Sequence, residues 1–212
     1  MFPKTSFFLS WYIIVSQLGC GVPDLAQSEV LTEATEEAIP LDSLERKLMY
    51  GMLQLFVDES DEPFTGWVYQ EDQAELEYSL GYLKKGRREG LWITWHPNKI
   101  KKSEIEWKED RMEGKFHVWY PNGKTKVIGQ TNDGEVDGEW TEYYSNSQKR
   151  SQSMNHHGHL VSIQVWKPDG TRCQASRVMD GNGSFTRYLD NGLPEHIRTF
   201  SFGVETSRQT FP

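Results

Sequence analysis

The chain is poor in cysteine, with only Cys20 and Cys173 among its 212 residues. Two thiols allow one bridge at most, so a disulfide scaffold is excluded as the source of stability. The common catalytic signatures are also missing: no Gly-x-Ser-x-Gly, no phosphate loop, no His-Glu-x-x-His and no paired-cysteine zinc spacing. No acid–base or nucleophilic set converges at a recognisable spacing, so the chain reads as a non-enzyme without a cofactor. Positive charge is in deficit. The net charge is −8, and −9 without Lys4, which argues against nucleic acid and against simple attraction of the whole chain to anionic headgroups. No apolar run reaches the about 20 residues of a membrane-spanning helix. Beyond residue 60 there is no sustained 3.6-residue periodicity with caps.

What the chain does have is a repeat. Gly-x-aromatic returns every 24 residues at Gly90-Leu91-Trp92, Gly114-Lys115-Phe116 and Gly138-Glu139-Trp140. A second aromatic stands five residues after each glycine, at Trp95, Trp119 and Tyr143, and a turn follows it: His96-Pro97-Asn98-Lys99, Tyr120-Pro121-Asn122-Gly123, Tyr144-Ser145-Asn146-Ser147. The phase extends upstream to Gly66. Downstream it reaches a unit with Val161 in the glycine slot and Trp166 as second aromatic, then Gly183-Ser184-Phe185 with Tyr188. About six units cover residues 53–202, and atypical end units are expected of such an array.

Each unit reads as a β-hairpin. Leu91-Trp92-Ile93-Thr94-Trp95 is β-branched and aromatic, a turn follows, and Ser103-Glu104-Ile105-Glu106-Trp107 alternates. Twenty-four residues hold two strands and two turns but fall short of the about 30 of a βαβ unit. The predicted fold is therefore all-β: tandem hairpins in an elongated, twisted antiparallel meander, with the aromatic stripe packed as core. The repeat glycines Gly66, Gly90, Gly114 and Gly138 are expected where the backbone needs positive φ or where a ring covers it. Trp92 and Trp95 lie three apart, so either a bulge brings them to one face or both faces carry rings.

The pattern resembles the MORN repeat (membrane occupation and recognition nexus), in its bacterial variant, over residues 63–192. Pro63-Phe64-Thr65-Gly66, Trp119-Tyr120-Pro121-Asn122-Gly123-Lys124 and Asp137-Gly138-Glu139-Trp140-Thr141-Glu142-Tyr143-Tyr144 carry the likeness. The resemblance implies a sheet of hairpins in a binding or scaffolding role, with no catalytic residue. Related proteins are loosely labelled antitoxin-like, and eukaryotic members are associated with membrane lipids.

Residues 1–19 read as a signal peptide, with Lys4 before the apolar run Phe7–Val15. Gln17-Leu18-Gly19-Cys20 resembles a lipobox, which makes Cys20 the expected lipidation site and places the protein in a bacterial cell envelope, facing the periplasm or the exterior. A conventionally cleaved leader and an uncleaved anchor are the alternatives, and a Cys20–Cys173 bond is a further one. Residues 20–45 carry seven acidic and no basic residues and are expected to be a flexible tether. A short helix fits between Leu41 and Leu53. Residues 46–204 form the repeat domain and 205–212 a tail.

Three uses of the sheet are open: a surface for an unknown protein partner, carbohydrate or cell-wall binding through exposed rings such as Trp95, Trp119 and Tyr143, or neutralisation of a toxin. Unpaired edges invite an edge-strand dimer. His156, His157 and His159 are a weak metal candidate in a polar turn. The basic stretch Lys84-Lys85-Gly86-Arg87-Arg88 reads as solvated turn residues that blunt an edge, with a headgroup or acidic-partner contact as the alternative.

Overall fold

The structure is a computed structural model and describes residues 22–49, 51–57 and 61–212. Helix α1 (Ser28–Glu37) leads into β1 (Ile39–Pro40), a 3-10 turn at Leu41–Ser43, and a ribbon of β2 (Glu45–Met49) and β3 (Met52–Phe56). The repeats then supply β4 (Gly66–Asp72), β5 (Glu77–Lys84), β6 (Arg87–Trp95), β7 (Lys101–Lys108), β8 (Arg111–Trp119) and β9 (Thr125–Asn132). They continue as β10 (Glu135–Val136), β11 (Gly138–Tyr143), β12 (Lys149–His156), β13 (His159–Trp166), β14 (Arg172–Met179), β15 (Asn182–Tyr188), β16 (Pro194–Ser201) and β17 (Val204–Thr210). Apart from the ribbon, all strands join one 15-stranded sheet in chain order. Every pairing in it is antiparallel except the short β1–β4 contact. The predicted all-β meander is the observed architecture.

The two long edges of this sheet use different turns. Along one edge lie two-residue turns in which both central residues have positive φ: Lys85-Gly86, Glu109-Asp110, Asp133-Gly134, His157-Gly158, Asp180-Gly181 and Phe202-Gly203. This is the type I′ hairpin, whose twist matches that of the strands. The Asn turns occupy the opposite edge and are of another kind. Only their last residue has positive φ (Lys99 65°, Gly123 79°, Ser147 76°, Gly170 83°, Gly192 84°). Its N–H closes on the first residue's carbonyl, as in Gly123 N to Tyr120 O at 2.9 Å. The Asn-Gly pair therefore builds a four-residue turn here.

The two faces differ as well. On the first face, register pairs Trp92 with Ile105, Ile105 with Phe116 and Phe116 with Gly129. Further on, Trp140 leads to Ser153, Ile163, Val178, Gly183 and Phe200 in the same way. On the second face the matching row runs Leu80, Ile93, Glu104, His117, Ile128, Thr141, Gln152, Gln164, and so turns polar after Ile93. Trp92 clusters with Val68, Leu83 and Leu44 on the first face, whereas Trp95 clusters with Trp67, Leu80 and Ile93 on the second. Both faces therefore carry rings. The register shift at Thr94/Trp95 does not bring the two tryptophans together.

Three expectations need correction. Residues 22–45 are not a tether: Leu25, Val30 and Ala34 are buried against Trp67, Leu80 and Ile93, so α1 covers the second face where that face is apolar. The stretch from Leu41 to Leu53 holds a 3-10 turn and the ribbon in place of a short helix; Leu44 and Leu55 pack under the first face. Residues 205–212 are not a tail, because β17 pairs along β16 from Val204 to Thr210. Glu205 clamps that last strand to Arg198 and Arg208.

The far end of the first face curls on itself. Arg187 Nη1 on β15 reaches Glu142 Oε2 on β11 at 2.6 Å, and Arg150 Nη2 on β12 reaches Asp190 Oδ1 at 2.5 Å. In a flat sheet β11 and β15 would stand about 19 Å apart at about 4.8 Å per strand. The coil comes from β14, where pairing jumps from Gln164–Arg177 to Trp166–Arg172 and leaves Cys173–Ser176 outside the β13 ladder. Leu160, Ile163, Val165, Val178, Phe185 and Phe200 fill the concavity.

Backbone, packing and charge each generate a prediction. Lys99 and Ser147 hold positive φ where the other units place glycine, so Lys99→Gly and Ser147→Gly should each stabilise by about 1 kcal/mol, read from urea midpoints. A loss of stability in both would refute the assigned turn. Gly129 lies under the Trp140 indole, which a Cβ would meet at 2.3 Å, whereas a Cβ on Gly134 meets nothing within 4 Å. Gly129→Ala should therefore cost about 1–3 kcal/mol through overpacking, and Gly134→Ala about 1 kcal/mol through φ alone. The Glu205 carboxyl is held down at about 2 by hydrogen bonds from Arg208, with Arg198 adding to them against burial. With the folded value below the ordinary 4.5, its stabilisation is complete above that value and fades as pH falls towards 2. Glu205→Gln should be the less stable protein at pH 6 and match the wild type near pH 2.

Candidate interaction surface

Side chains on both edges stitch each repeat to the next. On the type I′ edge, the residue before each repeat glycine accepts the N–H of the turn residue 20 positions later. Thr65 accepts from Lys85 at 2.9 Å, Glu89 from Glu109 at 3.0 Å, Glu113 from Asp133 at 2.7 Å, Asp137 from His157 at 3.1 Å and Asn182 from Phe202 at 3.2 Å. The repeat glycines in these pairs have positive φ, from 74° at Gly90 to 157° at Gly66. The unit with Val161 in the glycine slot lacks such an acceptor, since Leu160 precedes it; there the Gly181 N–H binds the Val161 carbonyl.

The Asn edge has its own ladder. Asn98 Nδ2 donates to Pro121 O at 2.7 Å, Asn122 to Ser145 O at 3.1 Å and Asn146 to Pro168 O at 2.9 Å. Beside it, His96 Nε2 contacts Trp119 O at 3.1 Å, Tyr120 Oη donates to Tyr143 O at 2.8 Å, and Tyr144 Oη donates to Trp166 O at 2.8 Å. Asp169 replaces the asparagine in the next unit and has no N–H to give, which ends the asparagine series. Burial pushes the phenols of Tyr120 and Tyr144 up, so both stay protonated donors near neutral pH.

Between these stitched edges the sheet is one layer thick. Among the described residues no hydrophobic side chain from β7 to β11 is fully buried: the buried set passes from Ile93 to Tyr144. Ile105, Trp107, Phe116, Val118 and Trp140 on the first face are half-buried, sheltered by one another, with Phe116 and Trp140 centroids 4.8 Å apart. The expected core role of the stripe thus holds at the ends, where α1, the ribbon and the curl cover it, and lapses in the middle. On the second face Trp119 stacks on His117 at 3.7 Å, and burial keeps the His117 imidazole below its ordinary range. Tyr143 is half-buried near the same Asn edge. Trp166 lies under Lys149, and Tyr188 under Lys167.

The remaining candidates are placed as follows. Cys20 lies outside the described residues. His156, His157 and His159 border a shallow cavity of about 410 Å³ with Val161 and Phe202. His156 Nδ1 is 3.4 Å from Asp137 Oδ1. Among the described residues no three metal-ligating side chains converge on a point. Cys173 sits in the β14 irregularity with Sγ 3.3 Å from both Ser176 Oγ and Tyr188 Oη. Burial raises its thiol, and the hydrogen bonds it shares with Ser176 and Tyr188 outweigh that and bring it below its ordinary value. Tyr188 is pushed up to about 12, first by burial and then by its hydrogen bond to Cys173.

Residues 88–109 and 136–154 match the family model described as MORN repeat variant. These two stretches coincide with the β6–β7 and β11–β12 hairpins, and the same ladders tie the hairpins between and beyond them. Proteins of that family are typically non-catalytic. No curated protein matches the chain.

Removing one rung should be felt locally. Tyr144→Phe leaves the Trp166 carbonyl without its donor at a fully buried site and should cost about 1–2 kcal/mol in urea unfolding. An unchanged midpoint would mean that the phenol contributes nothing to the stack.

Proposed function

We propose that the chain is a non-enzymatic, envelope-anchored lipoprotein whose open first face binds another protein. One observation carries the binding part: an apolar row from Ile105 through Phe116 to Trp140 runs across the middle of the sheet with no second layer over it among the described residues. Soluble proteins seldom leave a contiguous apolar stripe open unless something docks on it. Stacked hairpins suit such a task, because the repeat extends the surface without creating a pocket. Anchoring is supported by the apolar leader and by Gln17-Leu18-Gly19-Cys20. Among the described residues no helix is long and apolar enough to cross a membrane.

Two experiments test this reading. Expressed with its own N-terminus, the wild type should fractionate with membranes and carry a mass excess fitting acyl chains on Cys20; Cys20→Ala should lose both. A soluble product cut elsewhere would end the lipoprotein reading. For the face, Ile105→Lys and Val118→Lys should lower partner capture from envelope extract by about tenfold or more with little change in melting, as expected of central contacts. Unchanged capture by both variants would place binding elsewhere, and capture of polysaccharide in place of protein would favour carbohydrate recognition by Trp95, Trp119 and Tyr143.

A further inference from the structure

We propose that the second face carries a separate binding strip along the Asn edge, for a linear β-linked polysaccharide that bears a carboxylate on every other sugar. The strip neither needs nor excludes protein docking on the first face, and it does not depend on the lipoprotein reading. Three observations lead to it.

The first is the spacing of the rings. Trp95, Trp119, Tyr143 and Trp166 each stand two residues beyond a member of the second-face row, namely Ile93, His117, Thr141 and Gln164. Alternation along the strands therefore puts all four rings on the second face, next to the Asn edge. The contacts agree: Trp95 packs with the Ile93 cluster, and Trp119 stacks on His117. Their strands β6, β8, β11 and β13 are separated by single strands in the sheet, so a ring recurs about every 9.6 Å at about 4.8 Å per strand. In an extended β-linked glycan successive sugars are turned over, and like groups recur once per disaccharide at nearly the same rise.

The second is what surrounds the rings. Helix α1 covers the second face as far as Ile93, and Trp95 marks the end of that cover. Beyond it the rings are half-buried and set among polar groups. His117 Nε2 lies 3.0 Å from Thr125 Oγ1, which pairs with Trp119. Lys149, which pairs with Tyr143, donates from Nζ to Gln152 Oε1 at 2.8 Å and lies 5.2 Å from the centre of the Trp166 indole. Ile128 is the one large apolar side chain in the row beside them. Separate rings among hydroxyl, amide and ammonium groups suit a ligand with apolar CH faces and many hydroxyls. The core of a protein interface calls for the continuous apolar patch that the first face has.

The third is charge. Along this edge Lys99, Lys124, Lys126, Lys149, Lys167 and Arg172 form no ion pair among the described residues. The remaining cations there are matched: Lys101 by Glu104, Lys102 by Glu77 and Arg150 by Asp190, while Glu142 is taken by Arg187. Asp169 is the acid left over on the edge, and it caps its own turn by accepting the Thr171 N–H at 2.8 Å. Glu106 and Glu139 stand nearer the type I′ edge, and Glu71, Asp72 and Glu75 bound the strip at the β4–β5 hairpin. A chain of net charge −8 thus keeps a positive strip where the rings are, and an acid group on alternate sugars would meet about one free cation per repeat.

The test measures binding of the full chain to end-labelled oligosaccharides by fluorescence anisotropy. The probes are fragments of hyaluronan and of unsulfated chondroitin, in which glucuronate alternates with an N-acetylated sugar in β linkage; neutral chitin fragments and inorganic polyphosphate serve as comparators. The proposal expects the acidic glycans to bind most tightly, with affinity that falls as salt rises and that levels off at about eight sugars, the span from Trp95 to Trp166. Trp119→Ala and Tyr143→Ala should each weaken binding about threefold to tenfold. Lys124→Gln with Lys126→Gln, at exposed positions that leave the fold intact, should weaken binding and flatten its salt dependence. Lys84→Gln with Lys85→Gln on the opposite edge should change neither, and melting curves report the fold of every variant. Polyphosphate bound as tightly as the glycans, with both ring variants unaffected in folded protein, would assign the strip to polyanions in general and overturn the proposal. Chitin bound as tightly as the acidic glycans would overturn the call for a carboxylate. Absence of glycan binding at low salt, or equal losses from the two lysine pairs, would overturn the strip itself.

Discussion

A β-sheet of 15 strands with two open faces for much of its length needs something other than a core to hold its strands in register. Here the hydrogen bond from one turn to the next, repeated along both edges, meets that need. Each acceptor before a repeat glycine fixes a turn N–H 20 residues away, and each asparagine fixes a carbonyl in the following turn. A single such bond contributes only about 1 kcal/mol net. Their effect lies in position: they tie the hairpin ends, where fraying would start, and each ties two units whose chain connection runs through other strands. The glycine serves the same end, since positive φ at Gly90, Gly114 and Gly138 lets the chain turn beside the acceptor.

With the edges held, the faces are free to differ along the molecule. Near the start, α1 and the ribbon give the sheet two covering layers, and the row Leu80–Ile93 is fully buried. Near the end, the irregular β14 lets the sheet coil until Arg187 meets Glu142 and Arg150 meets Asp190, and the first face covers itself. The most regular repeats, from β7 to β11, lie between these two ends with half-buried rings. Regularity and openness share a cause. A unit that has only its two neighbours to satisfy is free to repeat without change, whereas the units meeting a helix, a ribbon or a coil must depart from the pattern.

The period of 24, the glycine slots and the two aromatic slots were legible in the sequence because each serves a local backbone or packing need. The turns were legible in place but not in kind. Asn122-Gly123 looks like a two-residue hairpin signal, yet the type I′ turns sit at Glu109-Asp110 and Asp133-Gly134, and the Asn side chain is occupied with the next repeat. The acceptor before each glycine was on view as Thr65, Glu89, Glu113, Asp137 and Asn182, but its partner lies 20 residues away and shares no residue type. Helix α1 was hidden by composition: Glu29, Glu33, Glu36 and Glu37 mask the small i, i+4 pair Val30 and Ala34 that seats it. In β17, Val-Glu-Thr-Ser-Arg-Gln-Thr has no apolar alternation, and only its pairing with β16 makes it a strand. The β14 irregularity and the long-range ion pairs have no local signature at all.

The central claim is that edge hydrogen bonds keep the middle of the sheet ordered without a second layer. Native-state hydrogen exchange resolved by residue tests it most directly, comparing the β8–β9 amides with those of β5–β6 in the wild type and in Glu113→Ala. The account predicts comparable protection in the two hairpins of the wild type, and a loss confined to β8–β9 and their neighbours once the Glu113 rung is removed. Fast exchange across β7–β11 in the wild type, or a Glu113→Ala pattern indistinguishable from it, would contradict the account.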